Sequence, residues 1–103
     1  MEAKGPMNSK FDALFFSAEL GAASELDLHG TSVAIALGEL ERFLHAHWYH
    51  KEQIVRIIHG RGSGVLRQAI HRWLKTHPKM VAEFRDSSRT DEVGAVTYVA
   101  FRL

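Results

Sequence analysis

Cysteine is absent from this chain of 103 residues. Disulfides, thiolate nucleophiles and thiolate metal sites are therefore excluded, and a reducing, cytoplasmic setting is the expected one. Long apolar runs are absent too, so nothing approaches the length of about 20 residues that spans a bilayer. Residues 1–10 lack the apolar stretch of a secretion signal. There is no internal repeat and no low-complexity tract. Lysine and arginine are missing altogether from residues 11–41, where six acids stand: Asp12, Glu19, Glu25, Asp27, Glu39 and Glu41.

What remains is ordinary for one small globular domain, with 46% hydrophobic and 24% charged residues. The net charge of +1 hides an asymmetry. Residues 51–75 carry Lys51, Arg56, Arg61, Arg67, Arg72 and Lys75 against a single acid, Glu52. A basic block next to a glycine-rich loop points to a polyanionic partner.

Periodicity predicts the elements. Phe11, Leu14, Phe15 and Ala18 fall at helical spacing, ended by Gly21. A segment of this length is not a stable helix alone in water, so residues 11–20 pack on the domain or contact another protein. Residues 25–29 read as a strand, with Leu26 and Leu28 on one face and Asp27 and His29 on the other. Gly30 breaks it, and Thr31 or Ser32 caps a helix whose stripe is Val33, Ala36, Leu37, Leu40, Phe43, Leu44 and Trp48. Residues 53–59 are apolar and β-branched, as in a buried or parallel strand. The glycine-rich loop Gly60-Arg61-Gly62-Ser63-Gly64 follows, then a helix from residue 64 or 65 to 76, closed by Pro78. Leu66, Ala69, Ile70, Trp73 and Leu74 form its apolar stripe, while Arg67, His71 and Lys75 make one cationic line. Residues 80–86 and 95–103 read as an antiparallel hairpin. Trp48, Trp73, Tyr98 and Phe101 are expected in the core.

Both predicted parallel strands end in His-Gly, and in open α/β sheets ligands bind at the carboxyl ends of such strands. Adjacent strands would bring Asp27, His29 and His59 within hydrogen-bond range, a set able to move protons at neutral pH. The loop lacks the Gly-Lys-Ser/Thr ending of a nucleotide P-loop, and Val65 stands where the dinucleotide pattern needs its third glycine. Its alternate glycines still admit close backbone approach, and the helix behind it offers N–H groups to an anion. Gly60, Arg61, Gly62, Ser63, Gly64, Arg67, His71 and Lys75 are the expected phosphate-binding residues. His45, His47 and His50 do not read as a zinc site, because adjacent imidazoles point apart and no acidic ligand has compatible spacing; they read as a frayed helix end.

The segments Leu26-Asp27-Leu28-His29-Gly30 and His59-Gly60-Arg61-Gly62-Ser63-Gly64-Val65-Leu66-Arg67 resemble the Smr (small MutS-related) domain. The similarity continues through Trp73-Leu74-Lys75-Thr76-His77-Pro78 to Gly94-Ala95-Val96-Thr97-Tyr98-Val99 and covers about residues 25–103. Residues 1–24 then form an N-terminal extension. The resemblance implies an α/β, two-layer βαβαββ fold, with two helices on a four-stranded mixed sheet and a short N-terminal helix added. It implies nucleic-acid binding and, in many members, nicking of DNA or cleavage of RNA, including messenger RNA on stalled ribosomes. The family's Asp-x-His motif falls on Asp27 and His29, and its second motif on His59, Gly60, Gly62 and Gly64.

Three functions follow as expectations. In an endonuclease, His29 and His59 serve as general base and acid and Asp27 orients an imidazole; RNA cleavage needs no metal, while on DNA Asp27 would hold Mg²⁺. In a non-catalytic module, the same surface holds DNA, RNA or a ribosome. In a protein-interaction domain, Phe11, Leu14 and Phe15 meet the partner.

Overall fold

A computed structural model describes residues 10–103. Helix α1 (Asp12–Ser17) runs on into a wide π-type turn, Ala18–Ala22, that Gly21 ends at φ +102°. Then come β1 (Ser24–Asp27), α2 (Val33–Tyr49), β2 (Ile54–Ile58), α3 (Val65–Lys75), β3 (Val81–Asp86) and β4 (Val96–Phe101). The sheet order is β1-β2-β4-β3, with β1 parallel to β2 and the other two pairs antiparallel. This is the expected α/β fold with a mixed four-stranded sheet.

Alternation along the central strands builds two cores. Val55, Ile57, Val99 and Phe101 face α2 and α3, where Leu28, Ala36, Leu40, Leu44, Ile70 and Leu74 are buried against them. Ile54, Val96, Tyr98 and Ala100 face the other way and bury Phe15 and Ala18. All six residues of β4 are buried, which explains the continuous apolar run in its sequence. Tyr98 and Phe101 are core residues as expected.

Residues 11–20 pack on this domain. Phe15 is buried, and Phe11 and Leu14 lie half-covered against the same cluster. Arg85 pairs with Asp12 and stacks 4.3 Å from the Phe15 ring, and Glu19 accepts from the Ser88 backbone and hydroxyl at 2.7 Å. The apolar face expected to meet a foreign protein is therefore spent within the chain. Its exposure would have left the second face of the sheet open to water.

Ser32, rather than Thr31, caps α2, its hydroxyl accepting from the Ile35 N–H at 3.3 Å. Ser32→Ala is expected to cost about 1 kcal/mol, read as a lower urea midpoint with unchanged slope. The far end of α2 is not frayed. The helix is continuous through Tyr49, and His47 pairs with Glu52, which also accepts from Ser24 at 2.9 Å. A carboxylate therefore does reach one of the three histidines, but as a tie between α2 and the start of β2. Trp48 and Trp73 sit at the core margin rather than within it: Trp48 donates to the Arg102 carbonyl at 2.9 Å, and Trp73 stacks on His77. Among the described residues no helix is long and apolar enough to cross a membrane.

Candidate nucleic-acid interface

The two His-Gly turns lie side by side, because β1 and β2 are parallel neighbours ending in register at Asp27 and Ile58. Leu28 extends the pairing through its N–H to the Ile58 carbonyl at 2.7 Å. The approach of the turns is close. Gly60 has φ +78°, and a Cβ placed there would lie 3.2 Å from the Cβ of His29. A side chain at residue 60 would be strained by its backbone and crowded by its neighbour.

Between the turns lies an open groove of about 320 Å³, lined by residues 30–33 on one side and 59–66 on the other. The N-termini of α2 and α3 both open into it. Helix α3 has no side-chain cap; Gly64 enters it at φ +87°. The Val65 N–H reaches Ser63 Oγ at 3.4 Å, and the other N–H groups of the first turn are left as donors that suit a phosphate oxygen.

Asp27 and His29 form a pair at the rim. His29 Nδ1 lies 2.7 Å from Asp27 Oδ1, which also accepts the His29 backbone N–H at 3.1 Å. These two hydrogen bonds hold the Asp27 carboxyl below the usual carboxylate range. The carboxylate accepts only, so His29 carries its proton on Nδ1 and leaves Nε2 as the basic nitrogen. The imidazole is 70% exposed, so it is accessible to a substrate.

His59 does not join this pair. Asp27 is registered with Ile58, which faces α1, and the next residue on the strand points to the opposite face. His59 is only 3% exposed, and both ring nitrogens are engaged, Nδ1 with the Gly60 carbonyl at 3.0 Å and Nε2 with Thr97 Oγ1 at 2.8 Å. Burial pushes its pKa down. The expectation of three converging titratable groups is corrected to one exposed dyad and one buried imidazole.

The cationic line on α3 is corrected as well. His71 turns inward, with Nε2 2.8 Å from Thr97 Oγ1 and 3.4 Å from Asp86 Oδ1. Burial, helped by the nearby Arg67 charge, pushes it down to about 4, so it is neutral at pH 7. Arg67 is held by the Asp86 carboxylate through Nε and Nη2. Burial alone would raise Asp86, but the Arg67 hydrogen bonds and the Arg67 charge together outweigh it and hold the carboxyl low. Arg61 lines the groove, but its guanidinium is engaged by the carbonyls of Asp91 and Val93, both at 3.1 Å. Lys75 remains exposed, with Arg72 beside it in a second open groove bounded by Arg67, Gln68 and His71. Neither Arg72 nor Lys75 has a carboxylate partner among the described residues.

His59, His71 and Asp86 could in principle offer three ligand atoms to a cation, all within 4.8 Å of one another. The Thr97 hydroxyl stands between them and Arg67 already neutralises the carboxylate, so the cluster is complete as a hydrogen-bonded unit. Asp86 and Thr97 were missed in the sequence. A threonine in the apolar β4 run was the available signal, and the hairpin register pairs it with Asp86.

The β3–β4 turn backs the glycine loop. Buried Glu92 accepts from Arg56, from Ser87 at 2.8 Å and from Tyr98 at 3.2 Å, fixing the turn. The Ala95 carbonyl then accepts the N–H groups of both His59 and Gly60 at 3.0 Å.

Fold and site together define a small α/β domain with an anion-suited groove at the ends of two parallel strands and a carboxylate–imidazole pair on its rim. The chain belongs to the Smr domain family, whose profile matches residues 26–102. It is 38% identical over 77 residues to Endonuclease MutS2 of Caldicellulosiruptor saccharolyticus, a match covering 75% of this chain and 10% of that protein. The chain thus spans about a tenth of the length of this relative. Among solved structures, the Smr domain of Thermus thermophilus MutS2 superposes with a TM-score of 0.73 at 36% identity, covering 79% of this chain and all of that one. YdaL, a stand-alone small MutS-related protein from Escherichia coli, shares the fold with a TM-score of 0.71 at 23% identity, covering 78% of this chain and 65% of that one.

Proposed function

We propose that this domain binds nucleic acid through the groove between its His-Gly turns and cleaves RNA there, with the Asp27–His29 pair as the reactive centre. The observation that supports this reading is an accessible, tautomer-locked imidazole next to Gly30 and close to Gly60, two residues of a groove into which two helix N-termini open. The groove amides and the α3 N-terminus hold one backbone phosphate. Arg72 and Lys75 carry the strand along α3. His29 Nε2 takes the proton of the ribose 2′-hydroxyl, and Asp27 stabilises the resulting imidazolium. The 2′-oxygen bonds to phosphorus as the bond to the 5′-oxygen breaks, and water protonates the departing 5′-oxygen. The products are a 2′,3′-cyclic phosphate and a 5′-hydroxyl. His59, which sequence reading cast as the acid, has no free nitrogen for that role.

Magnesium fits these residues poorly for DNA cleavage. Asp27 is a single carboxylate with Oδ1 already taken twice, whereas Mg²⁺ needs near-octahedral oxygen coordination. Ribosome-bound messenger RNA in the cytoplasm is one setting in which such a substrate is presented.

Labelled RNA and DNA oligonucleotides incubated with the protein, with and without EDTA, test the reading. The expected result is RNA cleavage that survives EDTA and leaves cyclic phosphate ends. Cleavage of DNA alone, or loss of all cleavage in EDTA, would overturn the mechanism. Salt-sensitive binding with no cut product at any protein concentration would identify a non-catalytic module instead.

A further inference from the structure

Thr97 is fully buried, and its hydroxyl touches three polar side chains. The proton order of this cluster follows from what each atom can do. The Gly60 carbonyl only accepts, so the His59 nitrogen 3.0 Å away, Nδ1, carries the proton. Neutral His59 then has a bare Nε2, which must accept from the Thr97 hydroxyl at 2.8 Å. Having given its one proton there, Thr97 Oγ1 accepts at 2.8 Å from His71, whose Nε2 also faces the acceptor-only Asp86 carboxylate at 3.4 Å. The longer 3.3 Å separation of Thr97 from Asp86 fits this direction.

The outcome is a one-way chain from His71 Nε2–H to Thr97, from Thr97 O–H to His59, and from His59 Nδ1–H to the carbonyl of Gly60. Its last acceptor is the first peptide of the glycine loop. Gly60 is also the residue at which an added Cβ would come within 3.2 Å of the Cβ of His29. A rotation of that peptide would move the loop amides that follow it.

We propose that Thr97 and His71 are positioning residues, whose hydrogen-bonded chain through His59 sets the orientation of the Gly60 peptide and so presents the glycine loop to a phosphodiester. Neither residue touches the substrate. The inference rests on the nucleic-acid reading for its ligand, but its structural half is measured without one.

The experiment compares the wild-type chain with Thr97→Val, Thr97→Ser and His71→Leu. Valine keeps the volume and removes the hydroxyl; serine restores it. Binding of a fluorescent single-stranded RNA is measured by anisotropy, and the His59 ring nitrogens and the Gly60, Gly62 and Gly64 amides are followed by ¹⁵N NMR. Thr97→Val is expected to bind about tenfold more weakly, the scale of one lost buried hydrogen bond. Its His59 Nε2 resonance shifts as that nitrogen loses its hydrogen-bond donor, and its loop amides shift with it. Thr97→Ser returns all three readings to wild type. His71→Leu is expected to weaken binding about threefold, because the Thr97–His59 link survives. Should Thr97→Val not fold, His71→Leu decides the matter. Wild-type loop amides and wild-type affinity in a folded Thr97→Val, or in His71→Leu in its place, would overturn the proposal. If the wild-type protein itself binds no RNA, the functional reading falls, and the positioning chain is judged on the ring and amide resonances alone.

Discussion

Replacing Asp27 and His29 together by alanine is expected to reduce RNA cleavage by about 10²–10⁴-fold, the usual contribution of a general base. Binding of the same RNA should stay within about twofold of wild type, because the groove amides and the free cations of α3 are untouched. Two single variants separate the roles. His29→Ala removes the base and should account for nearly the whole loss. Asp27→Asn keeps the size of the side chain but can present an amide N–H to Nδ1, and so releases the imidazole from its Nδ1–H form. Its rate should fall between wild type and His29→Ala. Stability is not expected to confuse the result, since both side chains are largely exposed and make their side-chain hydrogen bond to each other. Cleavage by the double variant at the wild-type rate would place the reactive centre elsewhere.

The second large effect is a loss of stability in mild acid. His71 is neutral in the folded state down to about pH 4, because burial disfavours its charge, whereas an unfolded histidine takes up its proton near pH 6.5. Between these values the unfolded chain binds more protons, so stability rises with pH. The contribution is complete above about pH 6.5 and is lost progressively as pH falls towards about 4, amounting to about 3 kcal/mol at most from this group. His59 is shifted in the same direction by its own burial and adds to the slope. Urea unfolding at pH 7 and pH 4.5 measures the difference. His71→Gln, which keeps an N–H donor and cannot titrate, should flatten the dependence. An equal slope in the variant would assign the acid sensitivity to other groups. Below pH 4 the Arg67–Asp86 pair becomes the next to fail, as Asp86 is held low by the arginine.

The elements were legible because their periods were clean. Alternation at Leu26 and Leu28, the nearly unbroken Ile54–Ile58 run and the stripes of α2 and α3 each carry one face or two into a core, and the structure places them accordingly. Two glycine-broken turns after parallel strands also announced the groove, since positive φ and close approach leave a local mark on composition. The Asp27–His29 pair was legible for the same reason: its partners stand two residues apart on one strand face.

The partners of the basic residues could not be read in this way. Arg67 meets Asp86 across 19 residues, Arg61 meets carbonyls some 30 residues away, and His71 meets Thr97 across 26. A cationic line on a helical wheel shows which side chains share a face, not what lies opposite that face. Here a carboxylate and a threonine from the hairpin lie there, turning two of the three expected cations into fixed, neutralised parts of the frame. His59 differs from His29 for a related reason. Each follows an apolar strand and precedes glycine, yet one residue of register places them on opposite faces of the sheet, one in water and one beneath α3.

The sequence by itself determined the elements, the turns and the exposed dyad, because each depends on residues within a few positions of one another. The tertiary structure alone decided which histidine is free to react and which cations remain free to meet a phosphate. Burial and long-range hydrogen bonding control both charge and access, and they come into being only when the hairpin closes against α3.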